Sequence, residues 1–435
     1  MDFSVDKNKI QDFVVANKWM ISIFTLRFLL DFIFYVYLNP YYDYLGFKLS
    51  FDPFFYVISF LPLFGLFLII PQKTEKVSDL ILQFFFISVY LPFTSYFSLS
   101  GESFTWFMIF TFFWYIVAIF NYVDFGWKII KTKEPTSEGK VKNKTLIAVL
   151  IVFGLIFIFS DLKFNFSILD VYGLREENPT QFVPFSGYII NWTGKVFLPF
   201  LLIYAIVKKG SYFNSFSIFI LGLILLLFSI TGHKSYLFLI PAIYGTLWLL
   251  KTKNFYFNLI LIFIAISIVG LIALYFFDNT VILSLFVRRT LFIPAQISFY
   301  YYDFFDGSPL YLSNSLFRYF YEYPYDLDHP YLIGKYYFNK PETSANNGIV
   351  ADGFAHFGIL GVFIWSFLFS LLLKVLDSVS MYKNKLVLWT LILLGARVFV
   401  GGGLFTTMLT HGFAVIILIC YFYPHDKPSD QIAST

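Results

Sequence analysis

The stretch FYFNLILIFIAISIVGLIALYFF, Phe255–Phe277, runs for 23 residues without a charged side chain. A helix needs about 20 predominantly apolar residues to cross ~30 Å of hydrocarbon, so this block alone is long enough to name the solvent. On either side of it the pattern repeats: Trp19–Leu38, Phe51–Ile70, Leu80–Ser98, Phe104–Tyr122, Thr145–Ser160, Tyr188–Val207, Phe213–Ile230, Ser235–Leu250, Ile349–Leu373, Leu386–Val400 and Met408–Tyr423. Hydrophobic residues make up 58% of the chain and charged residues 13%, against roughly 45–50% and about 25% in a soluble domain. In lipid every backbone polar group must be paired within the protein, which leaves helices or closed barrels. Continuous apolar blocks, as opposed to alternating ones, select helices. The expectation is an all-α integral membrane protein, a polytopic bundle of about 12 transmembrane helices.

Lysine placement orients it. With a cytoplasmic N-terminus, Lys7–Lys18, Lys73–Lys76, the basic stretch Lys128–Lys144, Lys208–Lys209, Lys251–Lys253 and Lys374–Lys385 all fall inside, as the positive-inside rule requires. Residues 1–277 then hold spans one to nine with short loops. Residues 278–348 form a long external loop, and 349–435 hold spans ten to twelve and a cytoplasmic tail. The long loop contains eleven tyrosines and is too apolar for a disordered tail, so short helices lying along the outer membrane surface are expected. The net charge of +4 is spread along the chain and gives no reason to invoke nucleic acid. The lone cysteine, Cys420, excludes an intramolecular disulfide and a thiolate metal cluster.

Phosphate loops, dinucleotide fingerprints, H-E-x-x-H and G-x-S-x-G are all missing, which argues against an ATP-driven pump or a soluble-type hydrolase. What remains is polar groups on the outer side. His233-Lys234 lie in a tight turn between spans seven and eight. Arg288-Arg289 open the long loop, Arg318 lies inside it, and Glu322, Asp326, Asp328 and His329 follow. Asp352 and His356, four apart where the chain re-enters the membrane, share one helix face. Arg397 sits inside a span, where a lone arginine usually faces a polar cavity or substrate path, whereas Arg27 and Asp31 are spaced as a structural ion pair. Plainer readings exist for most of these: Lys234 snorkelling to headgroups, Arg288-Arg289 holding anionic lipid, Glu322–His329 as a solvated turn, His356 as a satisfied buried histidine. Together the cations suggest a ligand bearing phosphate or pyrophosphate.

Arg288-Arg289-Thr-Leu-Phe-Ile-Pro-Ala, Tyr300-Tyr-Tyr-Asp-Phe-Phe and the run from Ala345-Asn346-Asn347 through Asp352 and His356 to Gly361 resemble the long-loop segments of the Wzy-type oligosaccharide repeat-unit polymerases of O-antigen and capsule pathways. Gly232-His233-Lys234-Ser235 is similar to the Gly-basic-Ser turn that many of them carry. The motifs cover about a fifth of the chain; the topology agrees over the rest. The resemblance implies an inverting glycosyl transfer in the bacterial inner membrane that needs no metal or cofactor. A growing glycan moves from its polyprenyl-pyrophosphate carrier onto a new lipid-linked repeat unit, with a chain-length regulator as a further partner. On this reading Arg288, Arg289, Lys234, Arg318 and Arg397 bind pyrophosphate, His233, Asn346 and Asn347 contact substrate, and Asp352, His356 or Glu322 accepts the proton. Lysine in the turn lacks the bidentate fork of arginine, so this chain departs from the pattern there. The competing readings are a single-sugar glycosyltransferase or ligase using Asp43 or Asp52, a flippase for the same lipids, and an O-acyltransferase using His233, His356 or His411.

Overall fold

The computed structural model describes residues 7–123, 137–159, 164, 185–315 and 319–425, with side chains from residue 17 onward. Among them the regular elements are all helical. Seven helices are long and apolar enough to cross a membrane: Asn17–Leu45, Val77–Ser100, Phe104–Tyr122, Glu138–Phe159, Ser186–Lys209, Phe255–Phe277 and Ile349–Ser380. Shorter apolar helices are Pro53–Ile69, Ser215–Thr231, Lys234–Leu250 and Phe413–Phe422, and Lys385–Ala396 adds another. Each of the twelve apolar blocks thus contains a helix, but length alone supports crossing for seven. Phe413–Phe422, ten residues, spans only about 15 Å, because the block that was expected to start at Met408 is broken at Gly412. Large apolar side chains point outward, Leu61 at 69% and Ile158 at 73% exposure, as on a surface solvated by lipid.

Local chemistry explains where helices begin. The Asp52 carboxylate accepts N–H bonds from Phe54 and Phe55, and Asn384 caps the next-to-last long helix through the Val387 N–H. This gives Asp52 a capping role. Four widened, π-helical turns interrupt the spans and the long loop: Phe34–Leu38, Phe86–Tyr90, Thr193–Phe197 and Leu283–Phe292. Each ends two residues before a proline, Pro40, Pro92, Pro199 and Pro294 respectively. Proline offers no N–H and crowds the preceding turn, and the helix accommodates it by opening one turn instead of breaking.

Two features of the second half add to what was expected. The long loop opens with a continuous helical stretch, Leu283–Phe292 followed by Ile293–Phe305, that buries Leu283, Leu291, Ala295, Ile297, Phe299, Tyr301 and Phe305. Its aromatic side packs into the bundle, with the Phe299 ring 4.9 Å from that of Phe93. Ile349–Ser380 does not run straight: Phe357 and Gly358 leave helical geometry, Gly358 at φ 58° and ψ −145°, a region open only to glycine. A straight helix would put Asp352 and Trp365 about 20 Å apart, yet the Trp365 indole N–H donates to Asp352 Oδ2 at 2.8 Å. The first turns therefore double back on the long leg. Gly353 and Gly361 make the contact; a methyl at Gly361 would lie 1.9 Å from the Gly353 carbonyl oxygen.

One end of the bundle is laced by paired charges. Lys208 meets Glu138 at 2.5 Å. Asp377 accepts from the Ser78 N–H and hydroxyl, and Lys374 donates to the Asn121 carbonyl, whose side chain bonds Asp79. Lys383 reaches the Cys420 and Tyr421 carbonyls, where a cation suits the C-terminus of Phe413–Phe422.

Candidate functional site at the opposite end

The doubled-back helix carries the first half of the site. Asp352 and His356, one helical turn apart, bring Nε2 within 3.6 Å of Oδ1, beyond hydrogen-bond length but oriented for exchange. Asp352 Oδ2 is already committed: besides Trp365 it accepts the Leu404 N–H at 3.0 Å. Asn347, buried, also approaches this carboxylate. His356 Nδ1 is buried with no hydrogen-bond partner among the described residues. The Leu310 and Tyr311 N–H groups cover the end of the short helix by bonding the Ala355 and His356 carbonyls.

His329 faces this pair, its ring 5.8 Å from that of His356, and its Nδ1 accepts from the Asn314 amide at 3.0 Å. Burial, then the neighbouring His356, push its pKa down to about 4, with Asp352 opposing. His329 is a neutral imidazole at physiological pH. Glu322 stands apart from these groups, exposed, and Asn346 is exposed with its amide oxygen accepting from Ser344.

The second half is cationic and built from three distant parts of the chain. Lys195, on the widened turn Thr193–Phe197, has its Nζ 2.6 Å from His411 Nδ1, so the ammonium donates to the ring nitrogen. Arg397 lies close enough to Lys195 to repel it. Arg397 is exposed, with protein atoms crowding one side of its guanidinium. No described carboxylate reaches any of the three within ion-pair distance. The His233-Lys234 turn borders the group: Tyr236 lies over Gly194, where a methyl would come 2.3 Å from the ring, and His233 packs on Tyr236.

Arg288 and Arg289 occupy another widened turn. Arg288 is buried, its guanidinium carbon 4.2 Å from the Tyr42 ring centre and Nη2 donating to Ser284 at 3.1 Å. Its Nε has no partner among the described residues. Arg289 is exposed. A small apolar cleft is lined by Leu291 and Pro294, which follow Arg288-Arg289 in the chain, and by Phe399 and Val400, which follow Arg397. Arg318 lies outside the described residues. Among the described residues no three of His, Cys, Asp and Glu come together as a metal site would require.

Sequence reasoning found Arg397, and named His411 only as a candidate for acyl transfer; Lys195, inside the block Tyr188–Val207, was not singled out, and the signal that could have flagged it is Pro199 four residues on. No protein-family model, no curated protein and no solved structure matches the chain.

Proposed function

We propose that this chain joins lipid-linked oligosaccharide repeat units on the outer face of a bacterial cytoplasmic membrane, crossing twelve times with both termini inside and residues 278–348 outside. The observation that carries the reading is the grouping of Lys195, Arg397 and His411 with no carboxylate in ion-pair reach among the described residues. Like charges held near each other in a water-poor site repel, and an anion placed between them reverses that. Pyrophosphate fits the charge, and its polyprenyl tail would lie along the apolar outer surface of the bundle.

In the transfer, the bond between the sugar's anomeric carbon and the pyrophosphate oxygen breaks and the electron pair leaves with pyrophosphate. Arg397 and Lys195, with the Lys234 turn, hold the charge that develops there, and fixed cations in a water-poor site act more strongly than in water. The acceptor hydroxyl attacks from the opposite face and its proton passes to His356. When the 3.6 Å gap between Nε2 and Oδ1 closes with substrate bound, Asp352 fixes the tautomer with Nε2–H toward Oδ1 and leaves Nδ1 as the base, the relation of orienter to base seen in catalytic triads. Asp352 is therefore a positioning residue. The 306–315 loop that covers His356 must lift to admit the acceptor.

The test is the lipid-linked pool of cells lacking the gene. Single repeat units accumulating outside support polymerisation; units trapped inside would make the protein a flippase, and full-length glycan lacking only acetyl groups would make it an acyltransferase. Purified protein should polymerise in excess chelator.

A further inference from the structure

A second polar cluster at the same end is used by nothing above. Glu102 lies in the Gly101–Ser103 turn between two long helices, half-buried, and accepts from the Tyr96 hydroxyl at 3.2 Å. Asp303, exposed on Ile293–Phe305, is close enough to raise the Glu102 pKa and accepts from the Tyr337 hydroxyl at 2.5 Å. Tyr300 and Tyr337 stack with ring centres 4.3 Å apart and planes within 9°. Gln296, fully buried, donates to the Leu45 carbonyl and the Tyr300 hydroxyl. Its Oε1, beside Tyr96 and Tyr300, has no donor among the described residues. Neither carboxylate has a cation within ion-pair distance among those residues.

Carboxylates, phenols and an amide oriented by one another, next to stacked rings, match the needs of a polyol: acceptors and donors for hydroxyl groups and flat apolar faces for the carbon skeleton. Burial, with Asp303 adding to it, brings the Glu102 pKa up to about 7, so near neutral pH the group both accepts and donates. We propose that Glu102, Asp303, Tyr300 and Tyr337 form a saccharide-binding subsite that holds part of an oligosaccharide away from the reacting bond. This rests on the glycan-joining reading. The helix Ile293–Phe305 stands between the two sites: Tyr301 on one face bonds the Ala345 carbonyl near Asp352, while Tyr300 and Asp303 face the cluster. A helix diameter of about 10 Å separates them, the reach of an oligosaccharide and not of a single sugar.

The experiment uses purified full-length protein and two probes. One is the phosphate-free oligosaccharide released by mild acid from the cells' own lipid-linked pool; the other is inorganic pyrophosphate. Glu102→Gln combined with Asp303→Asn, and separately Tyr337→Ala, should weaken oligosaccharide binding about tenfold or more, the usual size for lost hydrogen bonds to charged groups. Pyrophosphate binding should stay within about twofold, which also reports that the variants are folded; Tyr337→Phe, which keeps the ring, serves if a larger change does not fold and should give a partial loss. The subsite is overturned if the wild type binds no oligosaccharide at millimolar concentration, if these variants bind it as tightly as wild type, or if binding requires calcium or magnesium, which would make the carboxylates a cation site. Pyrophosphate binding that ignores Arg397→Ala would count against the glycan-joining reading instead and leave the sugar result standing.

Discussion

Arg27 and Arg397 both sit on helices predicted to lie in the membrane, but in opposite company, Arg27 buried and Arg397 exposed. Arg27 is fully buried and spends its donors on the Asp31 carboxylate, the Thr94 hydroxyl and carbonyl, and the Ser59 and Ser98 hydroxyls. Asp31 in turn accepts from Tyr56 and Ser95. Arg397 has a lysine for a neighbour and no carboxylate within reach among the described residues. A buried charge whose partners are complete holds helices together; an exposed one beside its own sign adds no such bond and is open to an anion. The same arginine side chain does either task, and only the packing around it decides which.

The sharpest way to break this contrast is to remove each arginine and compare stability with turnover. Arg27→Met leaves Asp31 buried and unpaired, at a cost of about 3–5 kcal/mol. The expected readout is a large drop in the thermal unfolding midpoint or loss of folded protein. Should that variant unfold like wild type, the network is dispensable and the comparison fails on its structural side. Arg397→Ala should leave unfolding unchanged or slightly improved, since a like-charge repulsion goes, while polymer synthesis falls about 10²–10³-fold as for a lost transition-state donor. Arg397→Lys should fall between, keeping charge but losing the fork.

Asp352→Asn sharpens the comparison within the site. An amide can still accept from Trp365 and Leu404, but its NH₂ then meets His356 Nε2 and favours the other ring tautomer. Turnover should drop by about 10²-fold or more with pyrophosphate binding retained. Near-normal polymer from this variant would remove His356 as the base.

The pH response comes next. His329 stays neutral in the folded chain down to about pH 4 and titrates near 6.5 when unfolded. Between those values the unfolded chain binds the extra proton, so the stability His329 contributes is present above about pH 6.5 and is lost as pH falls toward 4. Unfolding midpoints measured at pH 7, 5.5 and 4.5 should fall more steeply for wild type than for His329→Asn. The smallest effect is expected at Glu322, which is exposed: Glu322→Gln should change turnover less than about threefold and stability within ~0.5 kcal/mol.

How much of this was readable beforehand depends on the range of the contact. Arg27–Asp31 and Asp352–His356 are four apart, and helical spacing alone puts them together. Lys195, Arg397 and His411 meet only because their helices pack side by side, and hydropathy says nothing about lateral neighbours. The long loop's aromatic content read as surface-seeking, when Tyr301 and Phe305 turn those rings toward the core. The doubled-back helix was hidden for another reason: residues 349–373 are predominantly apolar and of spanning length, so the block looked like one crossing, though Gly353, Gly358 and Gly361 were in view.

That fold-back also sets a length. Thirty-two residues in one straight helix would measure about 48 Å, against ~30 Å of hydrocarbon, and would have to lean by roughly 50°, steeper than membrane helices usually stand. Turning at Gly358 leaves 359–380 as the leg that meets the lipid, about 33 Å long, a near match to bilayer thickness. Because Trp365 rides on that leg and donates to Asp352, the same turn that trims the helix to bilayer length also seats the carboxylate.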